Sequence, residues 1–366
     1  MSLRKILAFA VCACAATPAG AIQLRADEDT FVNVRFLLQA WGQVTENGAP
    51  DGESLGKDLF LRRARIILGG QIAPRLTFFF DTDAPNFGRD DFASQFIVQD
   101  ARAAYEFAPA LIVDVGLMSV PSLHNANQGA PTLFTVDYRA PNYRYPANST
   151  LFFRDTGVQA RGIFAADRLQ YRVGVFRGVR GAAAAGADAA NPEDALRLAG
   201  SLRFNFLEAE KEDFFYQGIY FGQKRVLSVG VAGEWQQDAI RQAAGLTDYG
   251  WYGADVFFDH PIAGDHEVIV QAAAMRWEAG ANAPNTGDSF YAEAGWRYRE
   301  VSPYVAWERF ASDAPAGAGD FDAVRIGAAW WIEQHAASLK LEAARLEPAA
   351  PAEAAWQGTL QAQLFL

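Results

Sequence analysis

Sixteen stretches of this chain alternate apolar and polar residues with a period of two. Between 31 and 44, Val32, Val34, Phe36, Leu38 and Ala40 share one face, while Asn33, Arg35, Gln39 and Trp41 fall mostly on the other. The same rhythm sets Leu76, Phe78 and Phe80 against Thr77, Asp81 and Asp83, and Leu169, Tyr171, Val173 and Val175 against Gln170 and Arg172. It recurs in 59–72, 99–107, 111–118, 157–164, 196–206, 226–237, 251–259, 267–277, 289–298, 301–310, 321–333, 338–347 and 356–366. Period two is the mark of strands with one apolar face. The chain is therefore expected to be all-β. Two stretches with good helix propensity, 338–345 and the alanine-rich 181–190, are too short or too simple in composition to change that.

Connection lengths add a second signal. Links after the even-numbered stretches are tight, as at 73–75, 108–110 and 299–300, whereas most alternate links run long and are rich in Gly, Pro, Asp and Asn. Short turns at one end and long loops at the other is the pattern of a transmembrane β-barrel. The link 207–225 breaks the rule by being long where a short one is expected. Alternation by itself also fits a soluble sandwich, which buries one face of each strand and wets the other. An even strand count, aromatics near strand ends (Tyr105, Phe107, Phe164, Phe206, Tyr298) and an export signal favour the membrane.

That signal occupies 1–21: Arg4 and Lys5, an apolar run from Ile6, then Ala19, Gly20 and Ala21. The only two cysteines, Cys12 and Cys14, lie within it. Residues 22–366 thus hold no disulfide, thiolate metal site or cysteine nucleophile. Losing Arg4 and Lys5 leaves 30 basic residues against 43 acidic. That balance repels nucleic acid, and no recognition helix appears. No later stretch approaches the apolar length of a spanning helix.

The longest irregular stretch, 119–154, holds four prolines, many aromatics and the arginines Arg139, Arg144 and Arg154 against Asp137 alone. A structured basic loop set among strands is what a pore constriction would look like, and Tyr143 is placed in it. Arg35, Arg63, Arg65, Arg102, Arg161, Arg172 and Arg203 fall on polar faces and are expected to line a lumen with Asp81, Asp83, Asp100 and Asp114. Two readings follow: an arginine track for anions, or arginine–aspartate pairs that brace the wall.

Several runs carry a resemblance: 58–71 (DLFLRRARIILGGQ), 99–105, 115–117, 153–158, 174–178 and 218–230. In this order they resemble the phosphate-selective porin O and P family of Gram-negative outer membranes. The resemblance implies a sixteen-stranded trimeric barrel whose third external loop folds inward and narrows the pore. The third long link here is 119–154. It further implies a channel for passive diffusion of small hydrophilic solutes, anions such as phosphate among them, with outer-membrane lipid around it and no cofactor. The family's selectivity is associated with lysines and arginines at the constriction, and this loop has no lysine. The chain also ends in Leu366, where such barrels commonly end in an aromatic.

Catalytic signals are few. Residues 52–56 match GxSxG, but no strand precedes them and no helix follows. His124, His260, His266 and His335 are scattered without metal-ligand spacing. A barrel enzyme and a secreted β-sandwich binding protein stand as the alternatives to a porin.

Overall fold

The structure is a computed structural model that describes residues 22–366 except 28, 91, 93–95, 182–188 and 212–213. The expected signal peptide, 1–21, lies outside the described residues. Seventeen strands form: β1 (Ile22–Arg25), β2 (Phe31–Thr45), β3 (Gly56–Ala73), β4 (Leu76–Asp83), β5 (Ile97–Ala108), β6 (Leu111–Ser119), β7 (Arg154–Phe164), β8 (Leu169–Phe176), β9 (Arg197–Asn205), β10 (Val226–Gln242), β11 (Gly245–Pro261), β12 (His266–Glu278), β13 (Gly287–Tyr298), β14 (Val301–Ser312), β15 (Phe321–Glu333), β16 (Ala337–Pro348) and β17 (Ala355–Phe365). From β2 onward each strand pairs antiparallel with the next. β17 pairs back onto β2, from Phe365↔Leu37 to Gln357↔Thr45, and closes a sixteen-stranded barrel. These sixteen are the sixteen alternating stretches of the sequence, one for one.

Two details differ from the sequence reading. β1 was not expected. It pairs with β2 from Ile22↔Val34 to Arg25↔Phe31, on the edge that β17 leaves free, and just beyond Leu366, which exchanges backbone hydrogen bonds with Phe36. The expected long link at 238–250 is instead a tight turn between Gln242 and Gly245. A bulge between Gln236 and Ile240 interrupts the register there, and with it the alternation that would have shown β10 continuing.

The outer face is apolar. Val173, Leu202, Val231, Val305, Ile326 and Leu341 all point outward and are exposed. Toward the short turns this band meets Tyr105, Phe107, Phe164, Phe206, Trp296 and Tyr298. Toward the long loops it meets Trp235, Trp307 and Trp356. An apolar belt between two aromatic girdles matches a lipid bilayer and its two interfaces. A closed ring also leaves no sheet edge in lipid, where unpaired backbone groups would be costly.

Inward residues are polar, and two segments fold into the lumen from opposite ends. Residues 120–153 enter from the long-loop end. Residues 206–225, the anomalous link, enter from the short-turn end.

Candidate functional site: the barrel lumen

The loop 120–153 has only three short 3-10 turns, Asn125–Asn127, Ala130–Thr132 and Ala140–Asn142, the last two with proline as their second residue. Its charged groups reach opposite walls. Asp137 takes Arg62 Nε at 2.8 Å and Arg63 Nη2 at 2.6 Å. Both of these successive arginines face inward because a bulge between Gln39 and Ala40 shifts the register of β3 at that point. Burial would raise the Asp137 carboxyl, but Arg62 and Arg63 outweigh it and hold it well below the usual carboxylate range. Across the lumen Arg139 gives Nη1 to Glu308 at 3.0 Å and lies 3.5 Å from Glu293. Burial works against the Arg139 charge, yet the two glutamates leave its pKa raised. Lys340 on β16 donates to the carbonyls of Leu133 and Thr135.

The expected constriction residues therefore sit in the lumen but grip the wall. Arg139 is only 1% exposed. Arg144 lies 4.0 Å over the Phe310 ring and donates to the Gly319 carbonyl. Arg154 pairs with Asp100 at 3.1 Å and donates to the Phe152 carbonyl. Tyr143 is buried against Phe153 and Trp277, and burial, then Asp255, raises its hydroxyl pKa.

Most of the expected lining residues are brought together as pairs. Arg65 bridges Asp81 and Asp83 at 3.4 and 3.0 Å. Asp114 on β6 receives Arg102 from β5 and Arg161 from β7, each at 2.8 Å. Arg203 holds Asp255 at 2.6 Å. Arg35 shares the inward parity of β2 but lies exposed near the short-turn end. Sequence reasoning missed the opposite, acidic wall: Glu234, Asp255, Asp259, Glu267, Glu293, Glu308 and Glu342 on β10–β14 and β16. The inward parity of those strands would have found them.

The described residues of 206–225 cross the lumen beneath the loop as a strap. Its backbone meets the loop: Gly129 N–H donates to the Tyr216 carbonyl, Tyr216 N–H to Asn127, and Gly218 N–H to Thr132, at 2.9 to 3.1 Å. His124 is sandwiched between Tyr216 and Phe257, and its Nε2 lies 2.9 Å from Glu210. Asp259 and Glu267 accept the backbone N–H groups of Tyr220 and Gly222. Phe221 packs on Trp331 and on His335, whose pKa burial and Lys340 lower to about 3. At the other end Phe214 and Phe215 cover the arginine wall.

At mid-height every strand from β2 to β17 presents an inward residue no more than 7% exposed, from Gln39 through Asp100, Arg172 and Asp255 to Lys340 and Gln361. The two inserted segments cover most of the wall at that level, while the lumen-facing side chains of Asp137, Arg62, Arg161 and Arg325 stay partly exposed.

Solved structures of outer-membrane proteins share this architecture. OmpF of Salmonella typhi, in complex with daunomycin, superposes with a TM-score of 0.63 at 11% identity, covering 94% of this chain and 100% of its own. The outer-membrane channel DcaP of Acinetobacter baumannii gives 0.58 at 12%, covering 94% and 99%. OmpT of Vibrio cholerae, in a trimer form, gives 0.52 at 12%, covering 93% and 100%. No protein-family model matches the sequence, and no curated protein matches it either.

Proposed function

We propose that this protein is an outer-membrane porin, a homotrimer of barrels through which small hydrophilic solutes, anions such as phosphate among them, diffuse passively. The observation that carries the reading is the inverted polarity of the barrel. Val231, Val305 and Ile326 face outward between two aromatic girdles, while Arg65, Asp81, Arg203 and Glu308 are buried inside. Such a molecule is soluble in lipid and lined for water. The trimer form of the Vibrio OmpT, which shares the fold, supports three-fold assembly here. Anion preference is supported by one stretch of wall, where Arg102, Arg161 and Arg172 face the single carboxylate of Asp114. On this reading the chain is exported with 1–21 removed, needs no cofactor and catalyses no reaction.

Conductance in a planar bilayer under a salt gradient tests it. Stepwise channels with an anion-selective reversal potential are expected, shifting toward zero in Arg161→Gln. Channels that favour cations would retain the porin and remove the anion preference. If neither the wild-type protein nor a variant lacking 208–223 conducts, the porin reading falls.

A further inference from the structure

The strap covers the basic wall of the lumen, and this poses a question: what would displace it? The residue that seals the basic wall is Phe214, and its surroundings describe a ligand. Three guanidinium groups converge on its ring, Arg102 at 3.9 Å, Arg172 at 4.8 Å and Arg161 at 5.2 Å from the centroid. The Phe214 carbonyl accepts a hydrogen bond from Arg172 Nη2 at 2.6 Å. Even so, Arg172 Nη1 and Arg102 Nε, both buried, have no hydrogen-bond partner among the described residues. Phe214 thus offers the trio a π-face and one neutral acceptor, and leaves buried donors unanswered.

We infer that the trio Arg102, Arg161 and Arg172 is a binding site for aromatic carboxylates, and that the strap is a tethered competitor which such a solute displaces to open the channel. The inference rests on the porin reading above. A benzoate-like molecule supplies both features that Phe214 supplies. Its ring faces the guanidiniums as a cation–π partner. Its carboxylate brings two charged oxygens where the strap has one carbonyl, and bidentate recognition of a carboxylate is what a guanidinium fork does best. The single Asp114 carboxylate is shared by Arg102 and Arg161, which leaves the trio with an excess of positive charge that an anion suits. Phosphate carries the charge without a ring, and aliphatic carboxylates carry it without a π-face. Phe214 itself is only 6% exposed, so nothing binds the trio until the strap has moved. Opening and recognition are then one event.

Single-channel recording with benzoate, cyclohexanecarboxylate and phosphate tests the inference. The two carboxylates share charge and bulk, and only benzoate has a π-face. Benzoate is expected to raise open probability about tenfold over either at equal concentration, the scale of one or two cation–π contacts. Phe214→Leu, which keeps bulk without the π-face, is expected to open without ligand. Equilibrium dialysis in detergent gives an independent reading, with Phe214→Leu binding benzoate more tightly than wild type because its competitor is weakened. Equal responses to benzoate and cyclohexanecarboxylate, or equal benzoate binding by wild type and Phe214→Leu, would overturn the site while leaving the porin standing. Absence of channels from every variant, including the one lacking 208–223, would remove the porin reading as well.

Discussion

The loop 120–153 and the strap 206–225 occupy the same lumen but are held by different physics. The loop is clamped by full charges against opposite walls: Asp137 to Arg62 and Arg63 on one side, Arg139 to Glu293 and Glu308 on the other. Each of these pairs, once desolvated, is costly to break by removing one partner. Among its described residues the strap's ion pairs to the rest of the barrel are Glu210 against His124, which is buried, and Lys211 against Asp167, which is half exposed and therefore worth little. The remaining hold comes from backbone hydrogen bonds, two of them onto Asp259 and Glu267, and from aromatic rings over guanidiniums. Those contacts are individually modest. Two inserted segments of similar burial therefore differ in removability: the loop is a fixed part of the barrel and the strap is a detachable one.

The harshest way to break that contrast is to cut the loop's clamp. Arg139→Ala leaves buried Glu293 without a cation and leaves Glu308 to Arg325 alone. A loss of about 3 kcal/mol, the lower end for breaking a buried pair, is expected. It should appear as a lower unfolding temperature in detergent and as new trypsin cleavage after Arg144. If the loop stays protected and the barrel unfolds as before, the loop is not charge-clamped and the contrast collapses.

The strap can be unseated without touching a charge. A Cβ on Gly218 would lie 2.6 Å from the Phe134 nitrogen and 2.7 Å from the Thr132 oxygen, both backbone atoms of the loop. Neither atom can swing aside as a side-chain tip would. Gly218→Ala is expected to cost docking roughly 3 kcal/mol, the upper end for overpacking, and to raise conductance with the barrel's unfolding temperature unchanged. A fall in unfolding temperature equal to that of Arg139→Ala would mean that strap and loop form one unit.

The barrel was legible because its information is periodic. Alternation located all sixteen barrel strands, and it failed only where geometry breaks the period, at the β10 bulge after Gln236. β1 escaped because four residues carry little period; its place is set by the edge of β2 beyond Leu366. The lumen contents were less legible. Asp137 and Arg139 are two residues apart in sequence yet grip opposite walls, a fact that depends on the loop's course rather than its composition. The arginines of the loop looked like a filter because a sequence shows charge but not its partner. The strap's course carries no period at all. Its one signal was five aromatics, Phe214, Phe215, Tyr216, Tyr220 and Phe221, in a link at the end where turns are short. So many rings in one connection are poor material for an exposed turn and good material for a buried one.

The finest distinction between the two segments is their response to acid. Glu210 lies in the strap, outside the strands. Burial pushes its carboxyl up, but His124 and the Tyr220 hydroxyl at 2.5 Å outweigh that, with a smaller contribution from Arg203, so its docked pKa is lowered. A carboxyl lowered on docking stabilises the docked state above its free value, near 4.5, and that stabilisation is lost as pH falls through the docked value. Conductance should therefore stay flat from pH 7 to about 5 and rise only below the ordinary glutamate range. Asp259 and Glu267 also hold the strap through backbone N–H groups, so acid alone does not single out Glu210. Glu210→Gln does, since it removes the charge and keeps an acceptor. A loss of roughly 1.5 kcal/mol in docking is expected from the charged hydrogen bond, read as a raised open probability at pH 7 and a smaller acid step. An acid step of wild-type size in Glu210→Gln would move the sensor to Asp259 and Glu267, and the strap would then be held from the acidic wall rather than by the loop's histidine.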